Sequence, residues 1–228
     1  MIKNIADRIS KYFLRTGKAA ISDAVKYSKE LYGKNFQPIY SVDFWDKYIT
    51  YHTTSEFGSL DGGYQKHCGP CALTNLVMSI NNIGHVSSGL SPAEIFSKVS
   101  EIGIKSRYYF NMDFMHCFGG TLNLAVRRYT VKILKIYIKR PFKVGFPVPA
   151  FPFFLKSALN KGAVVVAMLM YHPLYRNHQV LIYGYEELES SDRKNKLLYF
   201  KASDGWSSKP VYIRSKDLLL SIFISVYL

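Results

Sequence analysis

The chain has 228 residues, 48% of them apolar, 15% aromatic and 20% charged, which excludes a disordered or collagen-like chain and supplies side chains for a sizeable core. Thirty Lys and Arg against sixteen Asp and Glu leave a formal charge of +14. The three cysteines, Cys68, Cys71 and Cys117, are too few and too closely spaced for a disulfide framework, so the chain reads as reduced and cytoplasmic.

Residues 2–31 carry Ile5, Ile9, Tyr12 and Phe13, then Ala20, Ala24, Tyr27 and Leu31, at spacings of three and four. These predict one or two amphipathic helices, broken near Gly17 and Gly33. Basic residues interrupt the stretch too often for an export signal. It reads as an arm laid on the domain or as a pro-segment. The aromatic stretch 43–54 holds a short strand or helix.

The next segment runs Gln65-Lys66-His67-Cys68-Gly69-Pro70-Cys71. After it Ala72, Leu73, Leu76, Val77 and Ile80 mark one side of a helix that ends near Gly84, with Pro70 suited to its first turn. Both cysteines therefore fall at a helix N-terminus, where unpaired N–H groups and the macrodipole favour a thiolate. A second helix follows over 91–103, with Ser91 as N-cap and Glu94 completing a capping box. A third is predicted over 121–129, and the alternation over 131–139 reads as a strand.

The chain then changes character. A short helix over 153–161 ends at Gly162, and apolar strand-like runs follow at 163–170, 179–185, 197–202, 211–213 and 219–227. Helices first and strands second predict an α+β fold, a helical layer packed on an antiparallel sheet. The longest apolar runs fall short of the roughly 20 residues that span a bilayer, so no membrane span is expected. Between 101 and 144 nine basic residues stand against two acidic ones, an excess that reads first as a solvated Lys-rich face and otherwise as a patch for an acidic partner: nucleic acid, an acidic membrane surface or an acidic polymer. No nucleic-acid recognition motif accompanies it.

If the runs around 178–185 and 197–204 form a hairpin with Tyr185 opposite Leu197, His178 lies opposite Asp204, within about 5 Å at Cβ. A cysteine at a helix start with a His and an Asp from one hairpin is the arrangement of thiol nucleophile catalysis. The histidine takes the thiol proton, the aspartate orients the histidine, and the thiolate attacks a carbonyl. The Gln65 amide and the nucleophile's own N–H would receive the oxyanion.

Cys68-Gly69-Pro70 with Ala72-Leu73-Thr74-Asn75, then His178 with Gly184-Tyr185, then Asp204-Gly205-Trp206, resemble the papain-like cysteine peptidases. The likeness is narrowest with stand-alone relatives of peptidase family thirty-nine, the bacteriocin-leader-processing group. The resemblance covers about 65–206 and implies a papain-like fold, a peptide or protein substrate and no cofactor or metal. Residues 1–56 would be a helical arm or extension and 57–228 the peptidase domain. Relatives with Cys-Gly-Pro use the cysteine before the glycine, which implies Cys68. Papain's own Gln-x-x-Cys-Gly-x-Cys spacing instead implies Cys71 as an alternative nucleophile, with Gln65 six residues upstream. The leader-peptide substrate of the transporter-fused members is not carried over.

Other readings stay open. Cys-Gly-Pro-Cys is also the thioredoxin redox motif, although no buried strand and Trp precede it here. A catalytically inactive peptide-binding homologue would keep the same groups, and an acyl transferase would use the same triad. A zinc site from Cys68, Cys71, His116 and Cys117 lacks the second spaced pair of structural zinc. His67, His85, His116 and His172 read as surface or structural histidines.

Overall fold

The computed structural model describes residues 20–61, 67–84, 89–114, 118–218 and 220–228. Helix α1 (Ala24–Tyr32) starts at Asp23, whose carboxylate accepts from the Lys26 N–H at 2.9 Å. Strand β1 (Phe36–Val42) and a short helix α2 (Thr54–Phe57) follow. Helix α3 (Cys68–Asn82) and helix α4 (Pro92–Lys105) fall where the apolar periodicity puts them, and Ser91 and Glu94 form the expected capping box. Strands β2 (Tyr109–Phe114) and β3 (Phe118–Thr121) make a separate hairpin.

Helix α5 (Val126–Tyr137) corrects the strand expected over 131–139. Val126, Tyr129, Thr130, Ile133, Leu134 and Tyr137 are buried, the three-and-four spacing of one helix face. The alternation at 131–139 is a partial reading of that stripe. Short strands β4 (Lys143–Val144) and β5 (Val148–Pro149) precede helix α6 (Pro152–Asn160).

The rest is sheet: β6 (Val164–His172), β7 (Arg176–Ser190), β8 (Lys196–Ser203), β9 (Val211–Arg214) and β10 (Ile222–Tyr227). Its order is β4-β10-β6-β7-β8-β9, every pairing antiparallel. Strand β7 is long enough to pair β6 with its first half and β1 with its second. β1, inside the segment read as a helical arm, is thus part of the sheet. A Cβ on Gly184 would lie 2.3 Å from the Val42 carbonyl oxygen, so only glycine lets β1 approach there.

The sheet is covered on both faces, which makes its strands apolar runs. Leu73, Leu76, Ile80, Val99 and Ile133 of the α3–α5 layer pack on Val164, Val166, Met168, Leu181 and Tyr183. Leu155 and Leu159 of α6 pack on Val165, Ala167, Val180 and Ile182. Each such side chain contributes about 1.5–3 kcal/mol on burial. This is the α+β architecture expected, helices on an antiparallel sheet. Among the described residues no helix is long and apolar enough to cross a membrane.

Candidate active site

Helix α3 opens on Cys68, which is partly exposed, and turns its next residues inward. In this first turn Pro70 has no N–H, Cys71 donates its N–H to the His67 carbonyl at 3.0 Å and Gly69 donates to the Cys68 sulfur, which leaves the Cys68 N–H at the helix start. Gly69 is required by close packing: a Cβ there would stand 1.9 Å from the Thr121 hydroxyl oxygen and 2.7 Å from the Gln179 amide oxygen. Pro70, lacking an N–H, costs nothing in this first turn.

The structure brings Cys68 and His178 together as a hydrogen-bonded pair. Burial pushes the Cys68 thiol up. The hydrogen bond and charge of His178, with the backbone N–H groups of Gln179 and Gly69, outweigh this and hold it below the usual thiol range. Burial likewise pushes the His178 imidazolium down. The bond and charge of Cys68, then the Asp204 carbonyl and charge, carry it above its ordinary value. Both directions favour a thiolate beside an imidazolium.

Asp204 is also adjacent, by a different contact from the one expected. The His178 Nε2–H donates to the Asp204 backbone carbonyl at 2.6 Å, which leaves Nδ1 for the sulfur. The carboxylate is fully occupied elsewhere. Its Oδ1 accepts from the N–H groups of Trp206 and Ser207 at 2.9 and 2.8 Å, and its Oδ2 from the Tyr175 hydroxyl at 2.9 Å. The hairpin register explains this. Tyr185 faces Phe200 and Leu197 faces Leu188, with a bulge between Ile182 and Gly184, so the ladder ends at Leu181 and Ser203 and Asp204 lies in the turn beyond.

Two rings enclose the imidazole. Tyr175 stacks on it with centroids 5.4 Å apart and planes 11° from parallel, and Trp206 leans over it at 4.6 Å. Trp206 is 49% exposed, so it forms an outer wall that shields the His178 bond from water. Gly205, at φ 69, adopts the left-handed turn conformation, and its carbonyl accepts from the Thr54 N–H at 2.7 Å.

Cys71 is placed differently. It is fully buried with Phe57 and Phe96, and its thiol donates to the His52 carbonyl at 3.2 Å. Burial, then the charges of Cys68, Glu56 and Asp204, push that thiol far above its ordinary value. Gln65 and Cys117 lie outside the described residues, as do His85 and His116. Among the described residues no three His, Cys, Asp or Glu side chains are grouped to hold a metal.

Sequence reasoning gave no specific role to the residues that tie the helix start to its surroundings. Asn75 donates to the His52 carbonyl at 2.8 Å and accepts from the His52 N–H at 2.9 Å. His67, buried, bonds the Thr54 carbonyl at 2.8 Å. Asn75 had a signal, an amide on the apolar face of a helix; Tyr175 and Thr54 had none.

No protein-family model matches the chain, and a search of curated proteins finds no significant match.

Proposed function

We propose that the chain is a papain-like thiol hydrolase that cleaves a peptide or amide bond through an acyl-enzyme. The observation that carries this reading is the hydrogen-bonded Cys68 and His178, thiol lowered and imidazole raised, at the open end of α3. A papain-like fold is supported by a long helix bearing the cysteine packed on an antiparallel sheet bearing the histidine.

In the proposed reaction the Cys68 thiolate attacks the scissile carbonyl carbon. A C–S bond forms and the carbonyl electron pair moves to oxygen, beside the backbone N–H of Cys68 at the start of α3. His178 then gives its Nδ1 proton to the leaving amine as the C–N bond breaks, which leaves a thioester. Water, losing a proton to His178, attacks the thioester, and the acid departs as the thiolate re-forms. An amine in place of that water would give acyl transfer.

The carbonyl of Asp204 fixes the tautomer, and its carboxylate supplies negative charge and holds the turn. A dithiol cycle with Cys71 fits poorly, because that thiol is buried, bonded to a carbonyl and difficult to ionise.

The test is hydrolysis of a mixture of fluorogenic peptide amides, with mass spectrometry of the quenched enzyme for a thioester adduct. Turnover and adduct are expected in the native chain, with turnover falling about 10³-fold or more in Cys68→Ala and in His178→Ala. Turnover equal in Cys68→Ala and native protein would overturn the reading.

A further inference from the structure

Away from Cys68, the edge of the sheet at β4 and the start of α5 enclose an open groove of about 540 Å³. Its floor is apolar, formed by Val131, Phe142 and the buried Val144. Its walls carry Arg127, Lys135, Arg140 and Lys143, and no acidic side chain lines it. Arg127 is held rigidly: Nε donates to the Gly145 carbonyl at 3.1 Å and Nη2 to the Val144 carbonyl at 3.4 Å, and the guanidinium lies 4.4 Å from the centroid of Phe146. All three partners are neutral, so the charge is fixed in place without being cancelled. Lys135 and Lys143 are exposed and in no ion pair among the described residues.

We propose that this groove binds an acidic peptide segment carrying an apolar side chain, with the carboxylates on Arg127, Lys135 and Lys143 and the apolar group on the Val131, Phe142 and Val144 floor. The inference goes beyond the hydrolase reading and does not depend on it.

Three observations favour a peptide over other polyanions. The volume lies within the range of ligand pockets, about 300–1,000 Å³, and suits a few side chains. The apolar floor gives energy to a ligand with an apolar group, which a phosphate chain alone lacks. Strands of single-stranded nucleic acid need successive open aromatic platforms. Phe146, 75% exposed, is the only fully open ring in this lining, and Arg127 already covers one of its faces. A flat bilayer would meet the rim of a concave site and leave its floor empty.

The test is fluorescence anisotropy on the full-length Cys68→Ala chain, which removes turnover. The probe is a fluorescein-labelled peptide of alternating Asp and Glu with one central Phe. Controls are the same peptide with Lys for the acids, an oligothymidylate of equal charge, and vesicles half phosphatidylglycerol. The acidic peptide is expected to bind, to weaken as salt rises, and to weaken about tenfold in Lys135→Glu/Lys143→Glu, two exposed positions. Circular dichroism melting of that variant should match the parent. Replacing the Phe by Ser should also weaken binding. Absence of acidic-peptide binding, equal binding in the charge-reversed variant at unchanged melting, or tighter binding to oligothymidylate or vesicles would overturn the proposal.

Discussion

His178 and Asp204 meet through an imidazole N–H and a backbone carbonyl 2.6 Å apart, while the Asp204 carboxylate is held by Tyr175 and by the N–H groups of Trp206 and Ser207. Orientation of the ring is therefore a property of the 204–207 turn. The side chain at 204 acts on His178 by charge and by keeping that turn in shape.

Asp204→Asn separates these two roles. The asparagine keeps an oxygen for the two N–H groups, so the turn and the carbonyl contact persist, but the negative charge is gone. The His178 value should fall, and with it the upper pH limit of any Cys68-dependent hydrolysis. Asp204→Ala should lose both roles, and about 1–3 kcal/mol of stability through orphaned buried donors. A pH–rate profile and a melting curve on each variant distinguish the two.

Trp206→Ala should leave the fold nearly unchanged, because the ring is half exposed, yet admit water to the bond between His178 and Asp204. The expected result is a loss in kcat of about ten- to a hundredfold with a melting temperature within a few degrees of native. Tyr175→Phe differs. It removes the hydroxyl that donates to Asp204 and leaves a fully buried carboxylate oxygen short of a donor, so it should cost about 1–3 kcal/mol of stability as well as activity.

Gly69→Ala should damage the site without touching a reacting group. The added methyl meets Thr121 and Gln179 well inside contact distance, so the N-terminus of α3 must shift. A stability loss of about 1–3 kcal/mol and slower alkylation of Cys68 are expected, both measured on one preparation.

His172 provides a pH test unrelated to catalysis. It is buried, its Nδ1 accepts from the N–H groups of Leu174 and Tyr175 at 3.2 Å each, and burial pushes its value down to about 4. Its folded value lies below its unfolded one near 6.5, so between them the unfolded chain binds more protons and stability falls as pH drops. The contribution should be complete above about pH 6.5 and lost toward pH 4, roughly 3 kcal/mol in all. His172→Phe should be less stable at neutral pH, having lost the acceptor, but show a flatter dependence of melting temperature between pH 7 and 4.

Much of this was legible in the sequence because it rests on local pattern. The apolar stripe after Gly69 placed Cys68 at a helix start, and the Ser91 and Glu94 box placed the next helix. The remote His178 and Asp204 were legible as neighbours, since the assumed register, although not the one found, puts both at the same end of the β7–β8 ladder. Their actual contact was not, because the register depends on a bulge near Gly184 and on how far β7 runs past Tyr185 to pair with β1. Spacing also left Cys68 and Cys71 as rivals. Tertiary packing separates them: one residue opens to the surface and the other, three positions on, turns in against Phe57 and Phe96. The helix over 126–137 was obscured because Thr130, Val131, Ile133, Ile136 and Tyr137 are β-branched or aromatic and favour strand, although Lys132 and Lys135 already stand three apart.

The most direct measurement is the rate of iodoacetamide labelling against pH, with the modified cysteine located by mass spectrometry, in the native chain and in His178→Ala. The account predicts that Cys68 is labelled, with a midpoint well below the usual thiol value of about 8.5, and that removing the imidazole raises that midpoint. Labelling of Cys68 with an ordinary midpoint that ignores His178, or preferential labelling of Cys71, would contradict it.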